Sequence, residues 1–186
     1  RSSDLLGGIT LLCKFDGQRV TMASQIAGAD ETVSSLYSVK SEQATMLSFD
    51  AYNYLVHYFG QPQGSMADDP NGTLGGDYEF VISDATADRI ELKGKKYGNR
   101  IVMKAFSADQ TWKQYLTRIK KVEDDAFFYE YDLRMDGLYT GQMLRSNYTF
   151  IVTYYDEVGK VHQKTVPFMF TTDGMRFHEP VTIDGQ

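Results

Sequence analysis

Between residues 75 and 106 apolar and polar positions follow a period of two, broken twice by turn-forming residues. Tyr78, Phe80 and Ile82 alternate with Glu79, Val81 and Ser83. Residues 84–88 are polar, after which Ile90 and Leu92 alternate with Glu91 and Lys93. Residues 94–99 form a second turn, and then Ile101, Met103 and Ala105 alternate with Val102 and Lys104. This pattern predicts an antiparallel meander with one buried face. Tyr78, Phe80, Ile90, Leu92, Ile101 and Met103 would point inward.

The same reading extends in both directions. Ile9, Leu11, Cys13 and Phe15 share one face, and Asp16-Gly17 predicts a hairpin returning through Val20 and Met22. Residues 33–40 and 45–49 read as another strand pair. Asp50 is a candidate N-cap for a short helix whose apolar face is Tyr52, Leu55, Val56 and Phe59, with a strand as the competing reading because aromatic and β-branched residues are dense here. Residues 61–74 form a long irregular loop. A second helix follows the meander, with Ser107 and Gln110 as its capping box and Trp112, Tyr115, Leu116, Ile119 and Val122 as its stripe. The remainder is strand-rich: 127–135, a turn at Asp136-Gly137, a strand through Tyr148, Phe150, Val152 and Tyr154, and its return through His162 to Phe170. Pro167 lacks a donor and predicts an edge or bulge. A last short strand is expected over 181–183.

Composition adds constraints. Aromatic residues make up 13%, with 13 Tyr and 11 Phe against one Trp, which favours strands. The net charge of -6 supplies no basic footprint for nucleic acid. Cys13 is the only cysteine, so neither an intrachain disulfide nor a cysteine-built zinc site can form. On an apolar face it reads as a small hydrophobe, not a nucleophile. The stretch from Ile9 to Cys13 lacks the basic and apolar regions of a lipoprotein signal.

Catalytic motifs are scarce. The histidines His57, His162 and His178 have no metal-ligand spacing, and neither a nucleophile elbow nor a P-loop occurs. No metal or cofactor is expected. Asp68, Asp69 and Asn71 read as a plain turn in preference to a calcium loop. Asp50, Asp77 and Glu79 are the carboxylates a glycan or peptide hydrolase would use, and that reading requires two to converge with one pKa raised. Otherwise Asp77 and Glu79 are solvent-face strand residues. Tyr52, Tyr54, His57 and Tyr58, beside the 61–74 loop, are the candidate ligand-binding residues, against the alternative of core packing.

Several words of the sequence resemble a known family. LSFD at 47–50 with Tyr52-Asn53 and His57, GDYEF at 76–80 and LKGKK at 92–96 are similar to the uncharacterised Bacteroidetes lipoproteins grouped as domain of unknown function 4302. GGITLLCKF near the start and TTDGMRFHEP near the end extend the likeness. The resemblance implies a cell-envelope protein, outer-membrane-anchored or periplasmic, with a lipid anchor outside these residues. It also implies an aromatic-rich segment upstream, whose absence here would leave a sheet edge open. It assigns no activity and no catalytic residues.

Together these readings predict one β-rich domain over 1–186, an antiparallel lipocalin-like barrel or strongly curled sheet with one packed α-helix, with a two-sheet sandwich as the alternative. The expected role is a non-enzymatic binding or scaffold protein for a small hydrophobic ligand, a glycan or an envelope protein. A hollow interior would suit a ligand carrier, and a packed one would not.

Overall fold

The computed structural model describes residues 7–41, 43–61, 74–178 and 180–182. The chain is mainly β, built from antiparallel sheets of which one is strongly curled into a half-barrel. Its contacts divide it into two compact units. One is Leu11–Leu116, and the other takes Thr117–Gln186 with residues 7–10.

In the first unit, β1 (Leu11–Asp16), β2 (Arg19–Ser24) and β3 (Val33–Leu36) form one sheet in that order. The second sheet runs β4 (Ser38–Ser41), β5 (Thr45–Ser48), β6 (Glu79–Ala85), β7 (Arg89–Gly94) and β8 (Arg100–Lys104). Strands β3 and β4 are separated only by Tyr37, whose N–H donates to the Gln18 carbonyl at 3.2 Å. Residues 33–41 thus turn a corner: the first half pairs with β2 and the second with β5. A bend of this kind lets one segment serve two sheets without a flat join.

The two sheets share a core of Val20, Met22, Leu47, Phe49, Phe80 and Leu92. It is completed by Leu55 and Val56 of α1 (Tyr54–His57). Ile82, Ile90, Ile101 and Met103 pack against it, as the alternation predicts. Tyr78 departs from that prediction, because it precedes β6 and is 44% exposed. The concave side of the sheets is thus filled by side chains, which opposes an enclosed ligand cavity.

The first hairpin is buried on both faces. Leu11 and Cys13 pack on this core, while Leu12 and Ala23 join Leu116. Burial pushes the Cys13 thiol up to about 12, so it stays protonated, in keeping with a packing role.

Leu116 lies on α2 (Trp112–Asp125). The capping box of this helix is Thr111 with Gln114, not Ser107 with Gln110. Gln114 N–H donates to Thr111 Oγ1 at 3.2 Å, and Thr111 N–H donates to Gln114 Oε1 at 2.8 Å. Both quartets fit the motif, but the later one starts the helix where Leu116 and Ile119 become fully buried. Likewise α1 is capped by Asn53, not Asp50.

The second unit carries one sheet in the order β13 (Gly174–Phe177), β12 (Val161–Thr171), β11 (Thr149–Tyr155), β10 (Leu138–Ser146) and β9 (Glu130–Met135). Phe150 lies 4.7 Å from Phe168, ring to ring, and Phe168 lies 5.3 Å from Phe170. Pro167 sits opposite Thr149, one residue before β13 begins to pair at Phe168, so its missing donor falls on a locally open edge. Val181 and Thr182 are not in a strand, and Ile183 lies outside the described residues.

Phe80→Ala should destabilise the fold by about 3–5 kcal/mol, the cost of an aromatic cavity in a closed core. Urea denaturation followed by circular dichroism checks this. A loss below about 1 kcal/mol would show that the core repacks.

Candidate functional site

Tyr52, His57 and Tyr58, three of the four residues singled out in the sequence, lie around the neck of the segment that leaves at Gln61 and returns near Leu74. Asn53 is fully buried. Its side-chain oxygen accepts from Leu55 N at 3.1 Å, and its amide donates to Ser35 Oγ at 3.1 Å. That anchor sets α1 and hence Tyr52, Tyr54, His57 and Tyr58. After the helix, Gly60 and Gln61 donate backbone hydrogen bonds to the His57 carbonyl, each at 2.9 Å. Gly76 N–H then donates to the Phe59 carbonyl at 2.9 Å. A Cβ at Gly76 would overlap Phe59, so only glycine lets the two sides of the neck approach this closely.

His57 lies between two tyrosines. Its ring stacks on Tyr78 with centroids 4.9 Å apart and lies 5.4 Å from Tyr52. Its Nδ1 is 3.2 Å from the Asn53 N–H and 3.0 Å from the Asn53 carbonyl. His57 is therefore a filler held by backbone and rings. The outer surface belongs to Tyr52, 61% exposed, with Tyr58 and Tyr78 half-exposed. Tyr52 Oη donates to Gln61 Oε1 at 3.4 Å. Tyr54 points elsewhere, with its phenol hydrogen-bonded to Glu31. That bond, with burial and the Glu31 charge, pushes the phenol up to about 12. The structure thus brings Tyr52, His57 and Tyr58 to the neck with Tyr78, which the sequence had assigned to the core. Residues 62–73, with Asp68, Asp69 and Asn71, lie outside the described residues.

The carboxylates of the hydrolase alternative are each committed. Asp77 is buried, contrary to its reading as a solvent-face residue. Its Oδ1 accepts from Lys96 N at 2.7 Å and Tyr97 N at 3.0 Å. Its Oδ2 accepts from Asn99 N at 3.2 Å and Asn99 Nδ2 at 2.7 Å. Asn99 Nδ2 also donates to the Gly75 carbonyl at 2.6 Å. Asp77 therefore staples the β7–β8 turn to the returning side of the neck. Glu79 pairs with Lys95 at 3.1 Å. Asp50 is held below the usual carboxylate range by the nearby Ser38 hydroxyl, by Ser48 Oγ, which donates at 2.8 Å, and by Lys40 at 3.2 Å. A general acid needs the opposite shift.

Among the described residues no group of three or more His, Cys, Asp or Glu is placed to hold a metal ion. A hollow of about 260 Å³ lies between Ser83, Glu91, Lys93 and Arg100 on the meander. It is an open groove beside the Arg100–Glu91 ion pair, with no catalytic pair in it.

Two outcomes test this geometry. Asp77→Ala should destabilise the fold by about 3 kcal/mol, because it strands several donors inside the protein; denaturant titration measures it, with Asp77→Asn retaining part of the loss. For Tyr54 the folded-state value is raised, so its stabilisation is present below about pH 10 and lost as pH climbs through about 12. Glu31→Gln should bring the ionisation back toward that of an ordinary tyrosine, read from phenolate absorbance in a pH titration.

Compared with known proteins, the chain finds no match among curated proteins and none among solved structures. It does match the family model described as Domain of unknown function (DUF4302) over residues 2–186, nearly its whole length, and it belongs to that family.

Proposed function

We propose that this chain is a non-enzymatic binding protein of the cell envelope whose ligand is a neutral glycan, taken at the neck between Gln61 and Gly76. The observation that carries this reading is the group of exposed tyrosines, Tyr52, Tyr58 and Tyr78, fixed on a rigid support of Asn53, His57 and paired glycines. Tyrosine offers large, stiff contact area with a polar tip, which suits a ligand having both C–H faces and hydroxyls. Gln61 adds an amide beside Tyr52.

Three features narrow the choice. The filled core opposes an enclosed hydrophobic ligand. The net charge of -6 disfavours acidic polymers. The committed states of Asp50, Asp77 and Glu79 oppose glycoside hydrolysis at this place. The envelope location, and the lipid anchor that would hold the protein there, rest on the resemblance to Bacteroidetes lipoproteins in residues 45–106.

The test is calorimetry against a panel of neutral oligosaccharides. Tyr52→Ala and Tyr58→Ala should each weaken binding about 3- to 10-fold, the worth of one aromatic contact. Tyr54→Phe, away from the neck, should leave it unchanged. Binding that is indifferent to both alanine variants, or no binding by any glycan in the panel, defeats the proposal.

A further inference from the structure

The second unit holds a charge that no acid among the described residues answers. Arg145 of β10 sits opposite Phe150 of β11, so its side chain lies on the face that carries Phe150 and Val152. The guanidinium carbon is 4.8 Å from the centre of the Tyr129 ring and 5.7 Å from that of Phe170. Its Nε and Nη1 are buried and have no hydrogen-bond partner among the described residues. Ring faces attract a guanidinium but offer no lone pair to its N–H groups. Arginine cannot shed its charge, and buried polar groups are ordinarily paired.

Glu130 and Asp132 stand opposite Leu144 and Gln142, on the other face of the sheet, and Glu123 accepts from the Tyr148 hydroxyl at 2.8 Å. Among the described residues, then, no acid supplies the counter-ion. Beside the cation runs a second anomaly. Phe127, Phe128 and Tyr129 are consecutive and 65%, 59% and 65% exposed. The first two rings lie 4.3 Å apart. The segment is held in place by its backbone, with Arg145 N–H donating to the Tyr129 carbonyl at 2.7 Å and the Tyr131 hydroxyl to the Phe128 carbonyl at 3.0 Å.

We propose that Arg145 is the anchor of a second binding site, for a small amphiphilic carboxylic acid. The carboxylate takes the guanidinium donors, bidentate geometry being natural for that pair. The apolar tail lies along Phe127 and Phe128. Tyr129, mostly solvent-exposed, tilts aside to admit the carboxylate. Unmet guanidinium donors next to exposed rings are the complement of an anion with an apolar body. This site uses none of the residues of the neck in the first unit and stands or falls separately from the glycan reading.

The experiment is an NMR titration of the ¹⁵N-labelled full chain with octanoate, using acetate and octanol as controls. The Arg145 Nε–Hε signal is assigned by its loss in Arg145→Lys. It should move saturably with octanoate, and acetate and octanol should each bind at least about tenfold more weakly, since each lacks one of the two contacts. Arg145→Met should abolish octanoate binding. If Arg145→Met does not fold, Arg145→Lys serves in its place: a point charge should keep binding but weaken it severalfold. Phe128→Ala should weaken octanoate while leaving acetate unchanged. The proposal is overturned if no saturable shift occurs, if octanol matches octanoate, or if octanoate binds Arg145→Lys as tightly as it binds the parent chain. A peptide with a free aromatic C-terminus that binds over tenfold tighter than octanoate would also overturn it, by making the ligand a protein segment.

Discussion

One buried carboxylate holds the most consequential part of the first unit together. Asp77 accepts two backbone N–H groups from Lys96 and Tyr97, and a backbone and a side-chain N–H from Asn99. A carboxylate with this many donors can be buried because its lone pairs are satisfied, whereas the same group without them would be expelled to solvent. Gly94 lies against that carboxylate, where a Cβ would overlap it. Strand β6, the β7–β8 turn and the returning side of the neck are thereby tied to one point. Tyr78, next along the chain, gains its place against His57 from the same anchor.

Packing in the interior decides where binding can occur. The corner at Tyr37 lets the curled sheets wrap around α1, whose Leu55 and Val56 occupy space that a hollow barrel would have left to a ligand. On the outside, tyrosines stand on a support held by Asn53 and by the close approach of Gly76 to Phe59. The second unit solves a different problem. Its sheet buries a run of phenylalanines, but leaves Arg145 among them with donors unmet. The two surfaces differ in chemistry: one is uncharged and hydroxyl-rich, the other is aromatic around a cation.

Much of the fold was legible because strand alternation is a local signal. The turns at 84–88 and 94–99, the Asp16-Gly17 hairpin and the apolar stripe of α2 all follow from neighbours in sequence. The helix caps were misplaced because Asp50 and Asn53, or Ser107 and Thr111, are locally equivalent. What separates them is which following residues reach the core, Leu55 in one case and Leu116 in the other. Tyr52, His57 and Tyr58 stood out in the sequence because they are aromatic positions next to a long loop. Tyr78 was missed because alternation cannot see where a strand begins.

The sequence by itself determined the class of the fold, the family, the quiet chemistry of its single cysteine and the region of the neck. Each rests on residue type and short-range period, which need no distant partner. Only tertiary structure decided that the sheets are filled, that Asp77 is a buried staple, and that Arg145 finds no counter-ion among the described residues. Asp77 meets its donors 19 to 22 residues away, and Arg145 meets Tyr129, just before β9, and Phe170 of β12. Satisfaction of a buried charge is a property of the assembled surroundings, so no local pattern can announce it.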